Sequence, residues 1–287
     1  MDNSTLDTKI SEKEMLEFMK STIVNAGQET LKYHGKAKTL YTKNHEADIV
    51  TQADLASNDI LINSIKEKYP NHGIISEENK ILDDKKEYVW IIDPLDGTMN
   101  FRQGMRDYSN IVALAKNNKV IAGAVYVPVT DELYHASKGN GAFKNGEQIF
   151  CSGKDSLMRS RGCGHIEQVK GYEGQIFNFN FSSVKEFHHW QLEFGSGGVD
   201  MMNVAEGHAD WYFIAGHGGG VWDNAAPSII LKESGCKVVN FKGEDWKLSD
   251  NTQLMTGNPK IVDHILEVIN RPIPEDVLKF LQSQYNG

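Results

Sequence analysis

In the first quarter of the chain, two stretches carry apolar residues at helical spacing. The first follows Ser11–Glu14, which has the pattern of a helix-capping box. Its apolar residues share one face until Gly35: Met15, Phe18, Met19, Ile23 and Ala26. The second stretch begins near Thr51 and ends before Pro70, because the residue that precedes a proline disfavours the helical conformation. The pattern predicts two helices.

After Pro70 the hydrophobic period changes to that of strands. Gly73–Ser76 and Tyr88–Ile92 are short apolar runs, and each leads directly into acidic residues. Three further runs are separated by turn-forming residues and predict an antiparallel meander: Ile111–Ala115, Val120–Val127 and Leu133–Ala136. Helices and strand blocks alternate without the regular βαβ rhythm, which favours a layered α+β fold.

The second half of the sequence also alternates between the two periods. Its apolar runs predict strands at Gln191–Phe194, Trp211–Ile214 and Cys236–Val239. Helices are expected at Val199–Glu206, Asp223–Ser234, Ile261–Ile269 and Pro274–Leu281. A boundary near residue 150 divides the chain into an N-terminal α+β half, 1–150, and a C-terminal α/β half, 151–287.

Composition narrows the possible functions. The 287 residues include 39 acidic and 30 basic side chains, so the net charge is −9. This charge argues against a nucleic-acid or anionic-membrane partner, either of which requires a basic face. The three cysteines have no CxxC spacing and suit reduced thiols. The polar N-terminus has no apolar signal segment, and we expect a soluble, cytoplasmic protein.

The richest candidate chemistry lies in Asp93–Phe101, with the sequence DPLDGTMNF. An apolar strand delivers two carboxylates, Asp93 and Asp96, to one turn, and oxygen ligands of this kind suit Mg²⁺. Gly97 and Thr98 then present backbone N–H groups at the start of a short helix, which favours an anion such as phosphate. Taken alone, the Asp-Gly pair could equally be an ordinary Asx turn.

This segment resembles the signature of the inositol monophosphatase family, whose members are Mg²⁺-dependent, lithium-sensitive phosphatases. Trp222–Ala226, WDNAA, is similar to the second signature of the family, and Glu77-Glu78 matches its acidic pair at a strand end, with Ser76 where glycine is usual. Asp54, within Asp48–Asp54, matches a further acidic residue. The resemblance implies a layered α/β/α/β/α sandwich of the sugar-phosphatase type and a homodimer, and we predict that the meander at Ile111–Ala136 forms part of its interface.

The resemblance also implies a role for each matched residue. Two or three Mg²⁺ ions would be held by Glu77, Asp93, the Leu95 carbonyl, Asp96 and Asp223, with Asp93 bridging two of them. Thr98, paired with Asp54, would orient the water that attacks phosphorus, and Glu77 would assist. The N–H groups of Gly97 and Thr98 would bind the phosphate, while the segment Gly197, Gly198 and Val199 would line the substrate side.

Each matched residue has a structural alternative. The Glu77-Glu78 pair could be a solvated strand end, and Asp54 or Asp223 could serve only to cap a helix. Other motifs are incomplete: the glycine-rich loop at His217 has no Gly-x-Ser-x-Gly partner, His165-Ile166-Glu167 has no Pro-Cys-x-x-Cys partner, and the neighbouring His188 and His189 point to opposite faces on a strand. Only the ordered set of acidic residues forms a complete pattern.

The substrate is a small phosphorylated polyol or sugar by the same resemblance. Inositol-specific members carry a glutamate shortly before Trp-Asp, but Trp211–Val221 contains no acidic residue. We therefore expect inositol 1-phosphate to be accepted with weak discrimination, with Asp200 or His217 contacting the leaving alcohol. Fructose-1,6-bisphosphate, nucleotide and histidinol phosphates are alternative substrates, and a catalytically silent regulatory protein is the alternative outside the enzymes.

Overall fold

Two long helices open the part of the chain that the structure, a computed structural model, describes: residues 11–43, 49–78, 85–165, 190–214, 219–251 and 253–283. Helix α1 (Glu12–Leu31) begins at the predicted capping box, in which the Glu14 N–H donates to Ser11 Oγ at 3.2 Å. Helix α2 (Gln52–Lys68) begins at Thr51. Both predicted helices are confirmed, although α1 ends four residues before Gly35.

A seven-stranded sheet forms the centre of the first half. Its strands follow one another in sequence order, and only the first pair is parallel. They are β3 (Gly73–Ser76), β4 (Tyr88–Asp96), β5 (Ser109–Lys116), β6 (Lys119–Val127), β7 (Glu132–Ser137), β8 (Ala142–Lys144) and β9 (Glu147–Ile149). A separate antiparallel pair, β1 (Thr39–Thr42) and β2 (Ile49–Thr51), precedes α2. The predicted meander is confirmed, and a short helix, α3 (Thr98–Arg102), follows β4.

The second half contributes a five-stranded sheet in the order β11-β10-β12-β14-β13. Its strands are β10 (Arg161–His165), β11 (Trp190–Gln191), β12 (Trp211–Ile214), β13 (Lys237–Val239) and β14 (Leu254–Gly257). The helices are α4 (Gly197–Ala205), α5 (Val221–Glu233), α6 (Pro259–Ile269) and α7 (Glu275–Ser283), with a 3₁₀ turn at Leu248–Asp250. The predicted helices and strands of this half are confirmed, with shifts of a few residues at their ends.

One predicted strand is shorter than its apolar pattern indicated. Strand β11 ends at Gln191, whereas the pattern extended the strand to Phe194. The backbone of Phe194 is satisfied by side chains: its N–H donates to Asp200 Oδ1 at 3.0 Å, and its carbonyl accepts from Asn100 Nδ2 at 2.6 Å. Side-chain partners of this kind replace a strand ladder at this position.

Alternate residues of the central strands point to opposite faces of the sheet and pack into two different hydrophobic layers. Trp90 and Ile92 of β4 pack with α1 and α2, whereas Val89 and Ile91 pack with α4 and α5 on the opposite face. The outer face of the five-stranded sheet is covered by α6, which packs on Trp211. This period-two division produces the predicted α/β/α/β/α stack. The division into halves at residue 150 stays a prediction.

The predicted homodimer, with the meander as part of its interface, stays a prediction. Strands β5 and β6 lie inside one chain, since α1 and α2 cover one face of the sheet and α4 and α5 cover the other. The two faces of the middle of the meander are therefore covered by helices of the same chain. None of the described helices combines the length and apolar character needed to cross a membrane. The predictions for Asp48, His188, His189 and His217 fall outside the described residues.

Candidate active site

A β-bulge at the end of β4 sets the direction of two carboxylates. Asp93 lies opposite Ile111 of β5 and Asp96 lies opposite Ser109, so three steps along β4 match two steps along β5. In a regular strand, residues three positions apart point to opposite faces. The extra residue in the Pro94-Leu95 segment removes that alternation and lets both carboxylates face one site.

The carbonyl of Pro94 fixes this bulge to two neighbouring elements. It accepts hydrogen bonds from Ser57 Oγ of α2 at 2.8 Å and from Asn110 Nδ2 of β5 at 2.5 Å. Pro94, Ser57 and Asn110 are all buried. Satisfying a buried carbonyl twice holds the bulge in one conformation.

Three aspartates meet at the site. Asp93, Asp96 and Asp223 each place a carboxylate oxygen so that the three atoms lie within 4.8 Å of one another. Asp223 comes from the first turn of α5, where it accepts the Gly220 N–H at 2.5 Å. The helix begins two residues earlier than predicted, so Asp223 lies inside the first turn rather than at the N-cap.

Burial and mutual repulsion oppose the ionisation of this cluster. Burial raises the pKa of Asp93 well above its usual value, and the charges of Glu77, Asp223 and Asp96 raise it further. Burial and the same neighbours also raise the pKa of Asp223. Carboxylates in this position need a cation to remain ionised. The donor set, buried oxygens at close range, fits a hard divalent ion such as Mg²⁺.

Asp96 is held by three donors on a single oxygen. Ser109 Oγ at 2.9 Å, the Gly198 N–H at 2.9 Å and Ser196 Oγ all donate to Oδ2. These bonds connect β4 to β5 and to the first turn of α4. Among the described residues all three donors share Oδ2, which leaves Oδ1 available to a cation.

The Asp54–Thr98 pair lies beside this cluster. Thr98 Oγ1 is 3.2 Å from Asp54 Oδ1 and 2.9 Å from the carbonyl of Leu95, so its one proton can serve either acceptor. Burial raises the pKa of Asp54 to about 6, although hydrogen bonds from Thr51 oppose that shift. Asp54 is thus both the acidic member of the α2 capping box and a carboxylate that can hold a proton near neutral pH.

Sequence reasoning missed Lys43. Its Nζ lies 2.8 Å from Glu77 Oε1 and 2.7 Å from Glu78 Oε1. Burial alone would lower the pKa of Lys43, but the two carboxylates outweigh burial and raise it. Burial raises the pKa of Glu78 to about 7. Lys43 follows β1, far from the acidic motifs in sequence, and only its closeness in space identifies it.

Two glycines predicted to face the substrate are required by packing. Gly97 has a φ of +80°, and a Cβ there would lie 2.9 Å from the Ser196 Cβ. A Cβ on Gly198 would lie 2.3 Å from Ser109 Oγ and 2.8 Å from Asp96 Oδ2. Real Cβ contacts are not this short, so any larger residue would displace these groups. Gly198 therefore contacts Asp96 directly.

The remaining predicted substrate residues belong to the start of α4. The Val199 N–H donates to Ser196 Oγ at 3.3 Å and completes the N-cap of the helix. Asp200 is only 3% exposed and binds the Phe194 N–H. In this structure Asp200 anchors the segment before α4, and its contact with a leaving alcohol stays a prediction.

Comparison with known proteins agrees with this geometry. The model described as the inositol monophosphatase family matches residues 11–272. An inositol monophosphatase of Dictyostelium discoideum is 31% identical over 278 residues, which are 94% of this chain and 97% of that protein. A protein named Nus factor SuhB, of Pasteurella multocida, is 32% identical over 81% of this chain and 86% of its own length.

A solved structure supports the same relationship at the level of the fold. The IMPase of Thermotoga maritima superposes with a TM-score of 0.78 at 27% identity. The superposition covers 93% of this chain and 99% of that chain. The layered sandwich is therefore the fold of a known IMPase.

Proposed function

The chain belongs to the inositol monophosphatase family of phosphoric monoester hydrolases, and from that membership we propose that it hydrolyses a small phosphate monoester with the help of Mg²⁺. The observation that carries the proposal is the cluster of Asp93, Asp96 and Asp223, of which the first two are buried and the third is half-buried. Bound Mg²⁺ would neutralise these carboxylates, polarise the phosphate and lower the pKa of a bound water. We assign two or three ions per site.

Glu77, the Leu95 carbonyl and the three aspartates are the proposed metal ligands. Glu77 is close enough to Asp93 that its charge raises the Asp93 pKa, which supports a shared site. Its present partner Lys43 must release it for it to act as a ligand. Asp93 lies between the other acids and is the proposed bridging residue.

Thr98 and Asp54 are proposed to act on the attacking water. The Thr98 hydroxyl donates to Asp54 and orients the water with its own oxygen lone pairs. The water adds to phosphorus, its proton passes to a nearby base, and the bond from phosphorus to the alcohol oxygen breaks. The alcohol leaves with a proton, so one ester and one water give inorganic phosphate and one alcohol. The Gly97 and Thr98 N–H groups are proposed phosphate donors, beside Gly197, Gly198 and Val199.

The proposed substrate is a small phosphorylated polyol or sugar. The segment Trp211–Val221, which precedes Trp222-Asp223, contains no acidic residue and so offers no carboxylate to accept hydrogen bonds from ring hydroxyls. A missing hydrogen-bonding group costs about 1–3 kcal/mol of discrimination. We therefore propose that inositol 1-phosphate is hydrolysed without strong preference over simpler monoesters.

A substrate panel with and without Mg²⁺ tests both parts of the proposal. The panel contains inositol 1-phosphate, fructose 1,6-bisphosphate, adenosine bisphosphate, histidinol phosphate and 2-glycerophosphate, and phosphate release is measured. We expect Mg²⁺-dependent release and a kcat/KM ratio for inositol 1-phosphate over 2-glycerophosphate below ~10³. A larger ratio would mean that another side chain recognises the inositol ring.

A second candidate function rests on the relative named Nus factor SuhB. A regulatory protein with this fold would act through a macromolecular partner and would not need phosphate release. If the chain releases no phosphate from any member of the panel at millimolar Mg²⁺, the regulatory function is favoured. We further propose a cytoplasmic homodimer, which light scattering at micromolar concentration would test.

A further inference from the structure

Cys151 and Cys236 lie side by side, away from the carboxylate cluster. The Cys151 N–H donates to the carbonyl of Ser234 at 2.9 Å, which brings the end of β9 against the turn after α5. Cys151 Sγ lies 3.7 Å from the position that a Cβ on Gly235 would occupy. The two side chains are close enough that each shifts the pKa of the other. The backbone thus holds two cysteines that are distant in sequence on neighbouring segments of the chain.

The two thiols differ in their access to solvent. Cys151 is half-buried and follows Phe150, whose side chain is 62% exposed. Cys236 is buried, with Ser234 Oγ at 3.6 Å and the carbonyl of Val204 at 3.9 Å from its sulfur. A small reagent in solution can therefore reach Cys151 first, while Cys236 stays behind it.

The thiols also differ in acidity, and the more accessible thiol, that of Cys151, is the more acidic one. The hydrogen bond from Cys236 lowers the pKa of Cys151 to about 7, so a large fraction is thiolate at neutral pH. Burial raises the pKa of Cys236 well above its usual value, which keeps it protonated and able to donate. A thiolate that is accessible and has a neighbouring thiol is the arrangement of a redox-sensitive pair.

We propose that Cys151 and Cys236 are a modification site, at which a hydroperoxide converts the two thiols into a reversible disulfide. The Cys151 thiolate attacks one peroxide oxygen, the O–O bond breaks, and Cys151 becomes a sulfenic acid as water leaves. The Cys236 sulfur then attacks the Cys151 sulfur, the S–S bond forms, and the hydroxyl leaves as a second water. Two electrons pass from the thiols to one hydrogen peroxide, and a dithiol reductant reverses the change.

The third cysteine provides an internal comparison. Cys163 lies in β10, is only 3% exposed, and has its pKa raised mainly by burial. The Cys163 thiol therefore stays protonated, which is its unreactive form, and reagents in solution have poor access to it. The proposal therefore predicts that oxidation removes two of the three thiols and spares Cys163.

The experiment oxidises the full-length, reduced protein with hydrogen peroxide at neutral pH and then alkylates the remaining thiols. We expect the intact mass to fall by two hydrogens, one thiol to remain alkylatable, and digestion to give a peptide that links Cys151 to Cys236. Dithiothreitol should restore all three thiols. A linked peptide that contains Cys163, or oxidation of Cys151 without any link to Cys236, would overturn the proposal.

Single substitutions separate the two steps. In Cys236→Ser the sulfenic acid cannot be resolved, so we expect dimedone to label Cys151 and no loss of two hydrogens. The matched control, Cys163→Ser, should form the disulfide as the unsubstituted protein does. If Cys236→Ser still loses two hydrogens, or if Cys163→Ser does not, the pairing is wrong. None of these measurements depends on phosphatase activity.

Discussion

Lys43 Nζ lies 2.8 Å from Glu77 Oε1, so a cation of the protein itself is bound to a carboxylate that is proposed to bind metal. The same ammonium contacts Glu78 at 2.7 Å. Lys43 thereby lowers the cost of burying Glu78, whose side chain is 1% exposed. It also competes for Glu77 with any incoming ion.

Removing this competitor should strengthen metal binding at Glu77. We expect Lys43→Met to lower the Mg²⁺ dissociation constant about tenfold, which corresponds to ~1.4 kcal/mol. Isothermal titration of the metal-free protein with Mg²⁺ measures this directly. Lys36→Met, at an exposed lysine before β1, is the control and should leave the constant unchanged. Weaker Mg²⁺ binding by Lys43→Met would show that the lysine positions Glu77 rather than competing for it.

Asp93 should be essential for turnover and dispensable for folding. Because it is proposed to bridge two ions, we expect Asp93→Asn to reduce kcat at least ~10²-fold. Mg²⁺ should raise the Tm of the unsubstituted protein, because it binds only the folded state, and should raise the Tm of the variant much less. Asp59→Asn, at an exposed carboxylate of α2, is the matched control. Near-normal turnover by Asp93→Asn would refute the metal assignment.

The close contact of Gly198 with Asp96 predicts a strong effect of one methyl group. We expect Gly198→Ala to lower the free energy of unfolding by about 1–3 kcal/mol, because its Cβ would lie 2.3 Å from Ser109 Oγ. Gly197→Ala is the neighbouring control, since its Cβ would meet only Tyr212 Oη at 3.5 Å and Met201 Cε at 3.9 Å. Urea denaturation of both variants provides the comparison, and equal losses would mean that the contact with Ser109 and Asp96 does not decide the cost.

The lithium sensitivity of the site is a separate prediction. A monovalent ion that replaces one Mg²⁺ beside Asp93, Asp96 and Asp223 leaves part of the negative charge uncompensated. We therefore expect millimolar Li⁺ to inhibit phosphate release and K⁺ at the same ionic strength to have little effect. Full activity in tens of millimolar Li⁺ would contradict this expectation.

His135 should make the protein less stable in mild acid. Burial lowers the pKa of His135 to about 4, and the neutral ring stacks on Phe143 with centroids 5.5 Å apart. The unfolded chain therefore takes up this proton at a higher pH than the folded chain. The contribution of the neutral ring is fully present above pH ~6.5 and is lost as the pH falls from there towards 4.

Denaturation curves at a series of pH values test this assignment. We expect His135→Phe to lose less unfolding free energy than the unsubstituted protein between pH ~6.5 and 4. Between pH 7 and 8 the two proteins should show parallel dependence, because the histidine is neutral in both states. Identical slopes in the acidic range would place the acid sensitivity in other groups.

Local patterns in the amino-acid sequence were enough to predict most of the helices and strands and to identify the candidate site residues. Helical spacing after Ser11 and Thr51 predicted α1 and α2, because capping and amphipathic periodicity are local properties. Turn residues between apolar runs predicted the order of the antiparallel strands. The motifs DPLDGT and WDNAA identified Asp93, Asp96 and Asp223, because each motif is a short contiguous stretch of sequence that can be recognised without the structure.

The tertiary structure decided how those residues face one another. The bulge at Pro94-Leu95 depends on the register between β4 and β5, and no local pattern encodes a register between two strands. Lys43 contacts Glu77 only because the tertiary structure brings the end of β1 next to the end of β3. Cys151 and Cys236 are neighbours because the chain after β9 is hydrogen-bonded to the residue that follows α5. Contacts between distant positions depend on packing of the whole chain, and a linear pattern of polar and apolar residues does not contain that information.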